Sequence, residues 1–221
     1  MKHLSSYGIK DFIILCGYKS EAIKKYFSDY LLLNSDLTFN FSDNQTIIHK
    51  KRSEDWNVTL LDTGLQTMTG GRLLRAKEFL KDEESFLFTY GDGVGDVKIK
   101  DLVTAAKKNN CLATVTAAYP PGRFGALNIS ESNQVTHFNE KPKGDGSYVN
   151  AGYFILKPEA INYVDGDHIS WESEPLEKLA KDNELYAYKH NGFWQPMDTL
   201  RDMNYLNSLW SAGKATWKTW Q

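Results

Sequence analysis

Continuous apolar runs that alternate with helical patterns constrain this chain most. Asp11-Phe12-Ile13-Ile14-Leu15-Cys16-Gly17-Tyr18 is one such run, closed by glycine. Ser85-Phe86-Leu87-Phe88-Thr89-Tyr90 is a second, ending at Gly91-Asp92-Gly93. Apolar runs of this length without alternation suit strands covered on both faces. Between them, Ala22, Ile23, Tyr26, Phe27 and Tyr30 recur at helical spacing, which predicts a helix from Ser20 to about Leu33 with Ser20 as its N-cap. Leu37–Phe41 and Thr46–His49 alternate around a polar turn and read as a hairpin, and Val58–Asp62 reads as a further strand. Gly70-Gly71 leads into a helix over about Arg72 to Phe79.

The remaining chain continues the alternation. Ile99–Asn109 is helical, Ala113–Ala118 is a strand stopped by Pro120-Pro121-Gly122, and Ala126–Ile129 with Val135–Asn139 forms a short strand pair. Gly152–Leu156 and Glu184–Lys189 are strands, and Glu174–Ala180 and Leu200–Ala212 are helices. This pattern indicates an α/β sandwich around a mostly parallel sheet with helices on both faces. In such sheets ligands bind beyond the carboxyl ends of the strands, so the loops that follow strands are where chemistry belongs.

Composition excludes several alternatives. Charged residues are 24% and hydrophobic residues 41% of the 221, which are globular proportions. Twenty-six basic against 28 acidic residues leave a net charge of −2. That balance argues against binding to a nucleic-acid backbone. No apolar run nears the roughly 18 to 20 residues of a membrane span, and Met1–Gly8 has no signal-peptide core. The two cysteines, Cys16 and Cys111, lie in apolar surroundings and read as reduced residues of a cytoplasmic protein. The five histidines show no metal-ligand spacing, and Gly-x-Gly-x-x-Gly, Gly-x-Ser-x-Gly and Walker-type loops are absent.

Several post-strand loops carry groups suited to phosphate chemistry. Asp92 stands between two glycines just past a buried strand, where a carboxylate can hold Mg²⁺ against phosphates; Gly-Asp-Gly also serves as an ordinary turn. Asp198, in Gly192-Phe193-Trp194-Gln195-Pro196-Met197-Asp198-Thr199, could share that cation, or either Asp198 or Thr199 could cap the last helix. Thr67-Met68-Thr69-Gly70-Gly71-Arg72 offers backbone N–H groups and a guanidinium to an anion or nucleotide, or forms a loop and helix cap. Glu140-Lys141-Pro142-Lys143-Gly144 offers ammonium groups to a sugar phosphate, or forms a solvated turn. Asn150-Ala151-Gly152 could present an amide to sugar hydroxyls. Trp217 and Trp220 in the tail could cover a neighbouring surface.

Five segments stand in an order that resembles a known family. They are Met68-Thr69-Gly70-Gly71-Arg72-Leu73, Phe88-Thr89-Tyr90-Gly91-Asp92-Gly93, Pro120-Pro121-Gly122-Arg123-Phe124-Gly125-Ala126-Leu127, Glu140-Lys141-Pro142-Lys143-Gly144-Asp145-Gly146 and Gly192–Asp202. From about Gly8 to its last residue the chain resembles the glucose-1-phosphate cytidylyltransferases of the nucleotide-sugar pyrophosphorylase superfamily. The resemblance implies one nucleotidyltransferase domain over residues 1–221, of the Rossmann-like nucleotide-diphospho-sugar transferase type, with a small C-terminal extension around 200–221. It implies transfer of CMP from CTP to α-D-glucose 1-phosphate, giving CDP-glucose and pyrophosphate for CDP-sugar and O-antigen biosynthesis. By the family pattern, Asp92 and Asp198 hold Mg²⁺ and act in catalysis with Lys141. Thr67, Arg72 and Gly91 line the nucleotide side, and Glu140, Lys141, Asn150 and Gly152 line the sugar-phosphate side. It also implies a homo-oligomer, a trimer or hexamer. The family's opening strand and its Gly-Gly-x-Gly-Thr-Arg-Leu loop have no counterpart in this sequence. The expectation is therefore that a late start, a truncation or a partner chain accounts for that segment, and that this chain alone is poorly stable. A non-catalytic sugar-phosphate-binding subunit, or a pyrophosphorylase for another nucleotide such as UTP, are the alternative readings.

Overall fold

A computed structural model describes residues 1–120, 126–139 and 147–220. The run Asp11–Cys16 forms β1, and it pairs in parallel with β4 (Asn57–Asp62), Asp11 standing opposite Asn57 and Cys16 opposite Asp62. The crossover between them carries α2 (Ser20–Leu33) and an antiparallel hairpin of β2 (Ser35–Asn40) and β3 (Gln45–Lys51). A second sheet has four strands in the order β11 (Leu185–His190), β7 (Ala113–Ala118), β10 (Val149–Leu156), β5 (Phe86–Thr89). β11 runs parallel to β7, while β10 runs antiparallel to both β7 and β5. Three of the four strands therefore share a direction and the sheet is mixed, with β10 as the reversed member.

Period-two alternation along β10 explains how one sheet feeds two cores. Phe154 and Leu156 join Leu73, Trp171, Ile161 and Leu179 on one face. Tyr153 and Ile155 join Leu4, Val97, Ile99 and Leu102 on the other. The first face is covered by α3 (Thr69–Arg75), α4 (Lys77–Leu80), a 3-10 helix (Pro158–Tyr163) and α6 (Glu174–Lys181). The second is covered by α1 (Lys2–Ser5) and α5 (Ile99–Asn109). β1 and β5 alternate onto the same two cores, through Ile13, Leu15, Phe86 and Phe88 on one side and Phe12 and Leu87 on the other. Among the described residues β1 pairs only with β4 and β5 only with β10. Consistent with a one-sided pairing, only Cys16 of β1 is fully buried, whereas the sequence pattern predicts burial along the whole strand.

Other departures have local causes. Lys19, at φ 54°, takes the N-cap position of α2 and Ser20 is its first residue, without a side-chain cap. Gly70 and Gly71 lie inside α3 rather than before it, because the backbone of residues 167–171 crosses that turn. The single helix expected over Arg72–Phe79 is divided at Ala76 into α3 and α4. Cys16 and Cys111 are both free thiols. Among the described residues no helix is long and apolar enough to cross a membrane.

Candidate active site

The chain leaves β5 through Tyr90-Gly91-Asp92 and enters β6 (Gly93–Gly95), which pairs antiparallel with β12 (Trp194–Pro196). Pro196 stands opposite Gly93, and one step further the Met197 N–H donates to the Asp92 carbonyl oxygen at 2.9 Å. Asp92, just before β6, and Asp198, two residues past β12, are far apart in sequence but thus flank the same end of one ribbon. Both are exposed there. Asp198 is not engaged as a helix cap. Thr199 caps α7 (Leu200–Ser211), its hydroxyl accepting from the Asp202 N–H while the Asp202 carboxylate accepts from the Thr199 N–H.

A two-stranded ribbon of three residues per strand is not stable alone in water. Side chains pin this one on every side. The Tyr153 hydroxyl donates to Gly93 O at 2.9 Å and the Trp194 indole N–H to Ala151 O at 2.9 Å, tying the ribbon to β10. Gln195 donates to Asp202 Oδ1 at 3.0 Å, tying it to α7. At the far end Asp96 Oδ1 accepts from the Phe193 N–H at 2.8 Å. The buried His190 lies 3.1 Å from that same carboxylate oxygen. The tail expected to cover a surface does so here: Trp217 stacks on Phe193 at 5.1 Å, and Thr219 reaches His3, whose other ring nitrogen meets Val97 O. Sequence reasoning missed β6 and β12, although the Gly-Asp-Gly and Gln-Pro-Met-Asp strings mark where they lie.

On the sugar side of the expected site, β10 carries Asn150 and Gly152 at an irregular register step between Asn150 and Phe154. The Gly152 N–H donates to Asn150 Oδ1 at 2.8 Å. Gly152 has φ +76°, and a Cβ there would fall 2.6 Å from the Tyr90 ring, so only glycine fits. The Tyr90 hydroxyl stands 3.5 Å from the Asn150 amide nitrogen. Burial, and then its hydrogen bond to Glu172, raises the Tyr90 phenol well above its ordinary range. Glu172 also accepts from the Thr69 hydroxyl at 2.6 Å. Glu172 carries no signal in the sequence, since it lies in a loop without periodicity. Glu140 and Lys141 fall outside the described residues, as do all of residues 121–125 with Arg123.

On the nucleotide side, Thr67 is buried and Gly91 has open space where a side chain would be. Arg72 reaches the carboxyl ends of β1 and β4, where its Nη1 donates to Thr63 Oγ1 at 2.6 Å, Gly64 O at 2.9 Å and Cys16 O at 3.2 Å. Its guanidinium therefore fixes the loop after β4 whatever else it meets. Arg72→Leu removes the donor to Thr63 Oγ1 and Gly64 O, while Cys16 O keeps its bonds from Thr63, and is expected to cost about 2 kcal/mol of stability, read by urea unfolding. An unchanged midpoint would free Arg72 from this role.

The chain matches the model of the nucleotidyl transferase family over residues 1–217. It belongs to that family. Among curated relatives, the glucose-1-phosphate cytidylyltransferase of Salmonella typhi is 57% identical over 221 residues, covering 100% of this chain and 86% of the relative. The probable glucose-1-phosphate cytidylyltransferase of Bacillus subtilis is 39% identical, with 100% and 85% covered. Among solved structures, HddC from Yersinia pseudotuberculosis superimposes with a TM-score of 0.64 at 19% identity, covering 95% of this chain and 83% of that one. A UDP-glucose pyrophosphorylase complexed with UDP-glucose gives 0.61 at 14% identity, covering 95% and 84%. At those identities the solved structures establish the nucleotidyl transferase fold alone.

Proposed function

We propose that this nucleotidyl transferase moves CMP from CTP to α-D-glucose 1-phosphate. A phosphate oxygen of the sugar phosphate forms a bond to the α-phosphorus of CTP. The bond from that phosphorus to the bridging β-phosphate oxygen breaks, and pyrophosphate leaves with the electron pair. The observation that carries this reading is the hydrogen bond from Met197 to Asp92, which aligns the loops of two exposed aspartates that the sequence leaves far apart. The 57% identity to the Salmonella enzyme supplies the choice of nucleotide and sugar.

The donor set suits magnesium. Two hard carboxylate oxygens are on offer, and among the described residues no cluster of three or more His, Cys, Asp or Glu side chains surrounds them. That leaves coordination positions for phosphate oxygens and water, as Mg²⁺ prefers. Asp92 and Asp198 would hold it, and when bound it would neutralise charge on the phosphates. Phosphoryl transfer needs alignment and charge compensation more than a covalent nucleophile. In this reading Lys141 meets the sugar phosphate charge and Glu140, Asn150 and Gly152 line the hexose. Thr67, Arg72 and Gly91 border the nucleotide, and the ribbon pinned to β10 and α7 keeps the two aspartates in register.

Incubation with CTP, glucose 1-phosphate and Mg²⁺ should yield CDP-glucose and pyrophosphate in equal amounts. EDTA should abolish both, and UTP should be used at least tenfold less efficiently. Binding of glucose 1-phosphate without turnover would instead indicate a non-catalytic subunit, and a preference for UTP would overturn the nucleotide assignment.

A further inference from the structure

Glu172 is a carboxylate that the arrangement above leaves without a task. Loop 167–172 is strapped across α3: Asp167 O accepts from the Met68 N–H at 2.8 Å, Ile169 O accepts from the Gly71 N–H at 3.2 Å, and the Trp171 N–H donates to Thr69 Oγ1 at 2.9 Å. Trp171 is fully buried and anchors the loop in the core. Glu172, next along the chain, is aimed back between Thr69 of α3 and Tyr90 at the end of β5. Thr69 donates its hydroxyl to it at 2.6 Å, and the Tyr90 phenol lies near enough for the carboxylate to push its pKa up. A carboxylate has about four lone-pair positions, so most of its accepting capacity stays open beyond the Thr69 bond. Among the described residues no lysine or arginine pairs with it. Asn150 lies 3.5 Å from the Tyr90 hydroxyl, and Gly152 lies against the Tyr90 ring.

An unpaired carboxylate repels a phosphate and attracts hydroxyl donors. Two substrate parts offer such donors, the hexose and the ribose. The Tyr90, Asn150 and Gly152 surroundings place Glu172 on the hexose side. We infer that Glu172 is a sugar-reading residue, accepting a hydrogen bond from a hydroxyl of the hexose phosphate, with Thr69 holding its carboxylate in place beside Tyr90. The inference rests on the proposed function above. It adds a residue and a specificity role to that site. A site built to accept from a particular hydroxyl discriminates strongly against the analogue that lacks it.

The test is calorimetric titration of the full chain with glucose 1-phosphate and, separately, with CTP and Mg²⁺, for the wild type, Glu172→Ala and the near-isosteric Glu172→Gln. Glu172→Ala should weaken glucose 1-phosphate at least tenfold and change CTP less than twofold, with Glu172→Gln in between. Among deoxyglucose 1-phosphates, one that the wild type binds about tenfold more weakly than glucose 1-phosphate should be bound by Glu172→Ala no more weakly than glucose 1-phosphate itself. Unchanged binding of glucose 1-phosphate in both variants overturns the inference and leaves the proposed function standing. A loss confined to CTP assigns Glu172 to the ribose and also overturns it. Loss of both ligands by variants with native circular dichroism reduces Glu172 to a general support of the loop. A wild-type chain that binds no glucose 1-phosphate overturns the function and this inference together.

Discussion

Asp92→Asn and Asp198→Asn should each lower CDP-glucose formation by about 10²- to 10³-fold, with thermal unfolding shifted by no more than about 2 °C. The size follows from removing one charged ligand from a site whose work is electrostatic stabilisation. The small effect on folding follows from how each residue is used. Asp92 contributes its backbone carbonyl, not its side chain, to the ribbon. Asp198 is relieved of capping duty by Thr199 and Asp202. Both carboxylates are exposed, so an amide of the same shape leaves nothing buried without a partner. Steady-state turnover and a melt on the same preparation separate the two effects. Turnover within threefold of wild type for either variant would remove that residue from the site.

The largest stability effect is expected at Gly71. Alanine there gains helix propensity of about 1 kcal/mol. Its Cβ, however, would sit 2.4 Å from Asp167 Cα and 2.6 Å from Asp167 O, and both are backbone atoms that no side-chain rotation can clear. Asp167 is itself held by Arg75, at 3.0 Å through Nε, and by the Met68 N–H. The crossing strap must therefore lift from α3. The clash outweighs the propensity gain, and Gly71→Ala should cost about 3 kcal/mol, at the upper end of ordinary overpacking. That corresponds to a fall in melting midpoint of roughly 6 to 12 °C for a chain of this size. Gly91→Ala is the control, since its Cβ would meet nothing within 4 Å and it should melt as the wild type does. Equal midpoints for the two variants would show that the strap yields at no cost.

Much of the frame was legible because long elements announce themselves by period. The patterns predicted α2, α5 and β7 at the bounds observed, Ser20–Leu33, Ile99–Asn109 and Ala113–Ala118. Short elements were not legible. β6 is Gly-Val-Gly and β12 is Trp-Gln-Pro, three residues each, with glycine and proline where strand formers are expected. Their pairing is fixed by partners outside either strand, Tyr153 and Ala151 of β10 and Asp202 of α7, that a three-residue window does not contain. Asp92 was visible as a carboxylate past a strand, but its neighbourhood with Asp198 is a tertiary fact. From the sequence, Arg72 could serve an anion or belong to a plain loop and helix cap; in the fold its Nη1 serves three groups at the ends of β1 and β4. Glu172 escaped notice because an isolated acidic residue in a loop resembles any solvated charge until Thr69 and Tyr90 are seen to flank it.

A titration of the protein with Mn²⁺ in the presence of CTP, followed by electron paramagnetic resonance, tests most directly whether Asp92 and Asp198 serve a single cation. One tight Mn²⁺ site per chain is expected, weakened at least tenfold by Asp92→Asn or by Asp198→Asn. The double variant should lose much less than the sum of the two, as members of a shared site do. Unchanged Mn²⁺ affinity in either single variant, or losses that add as for independent sites, would contradict it.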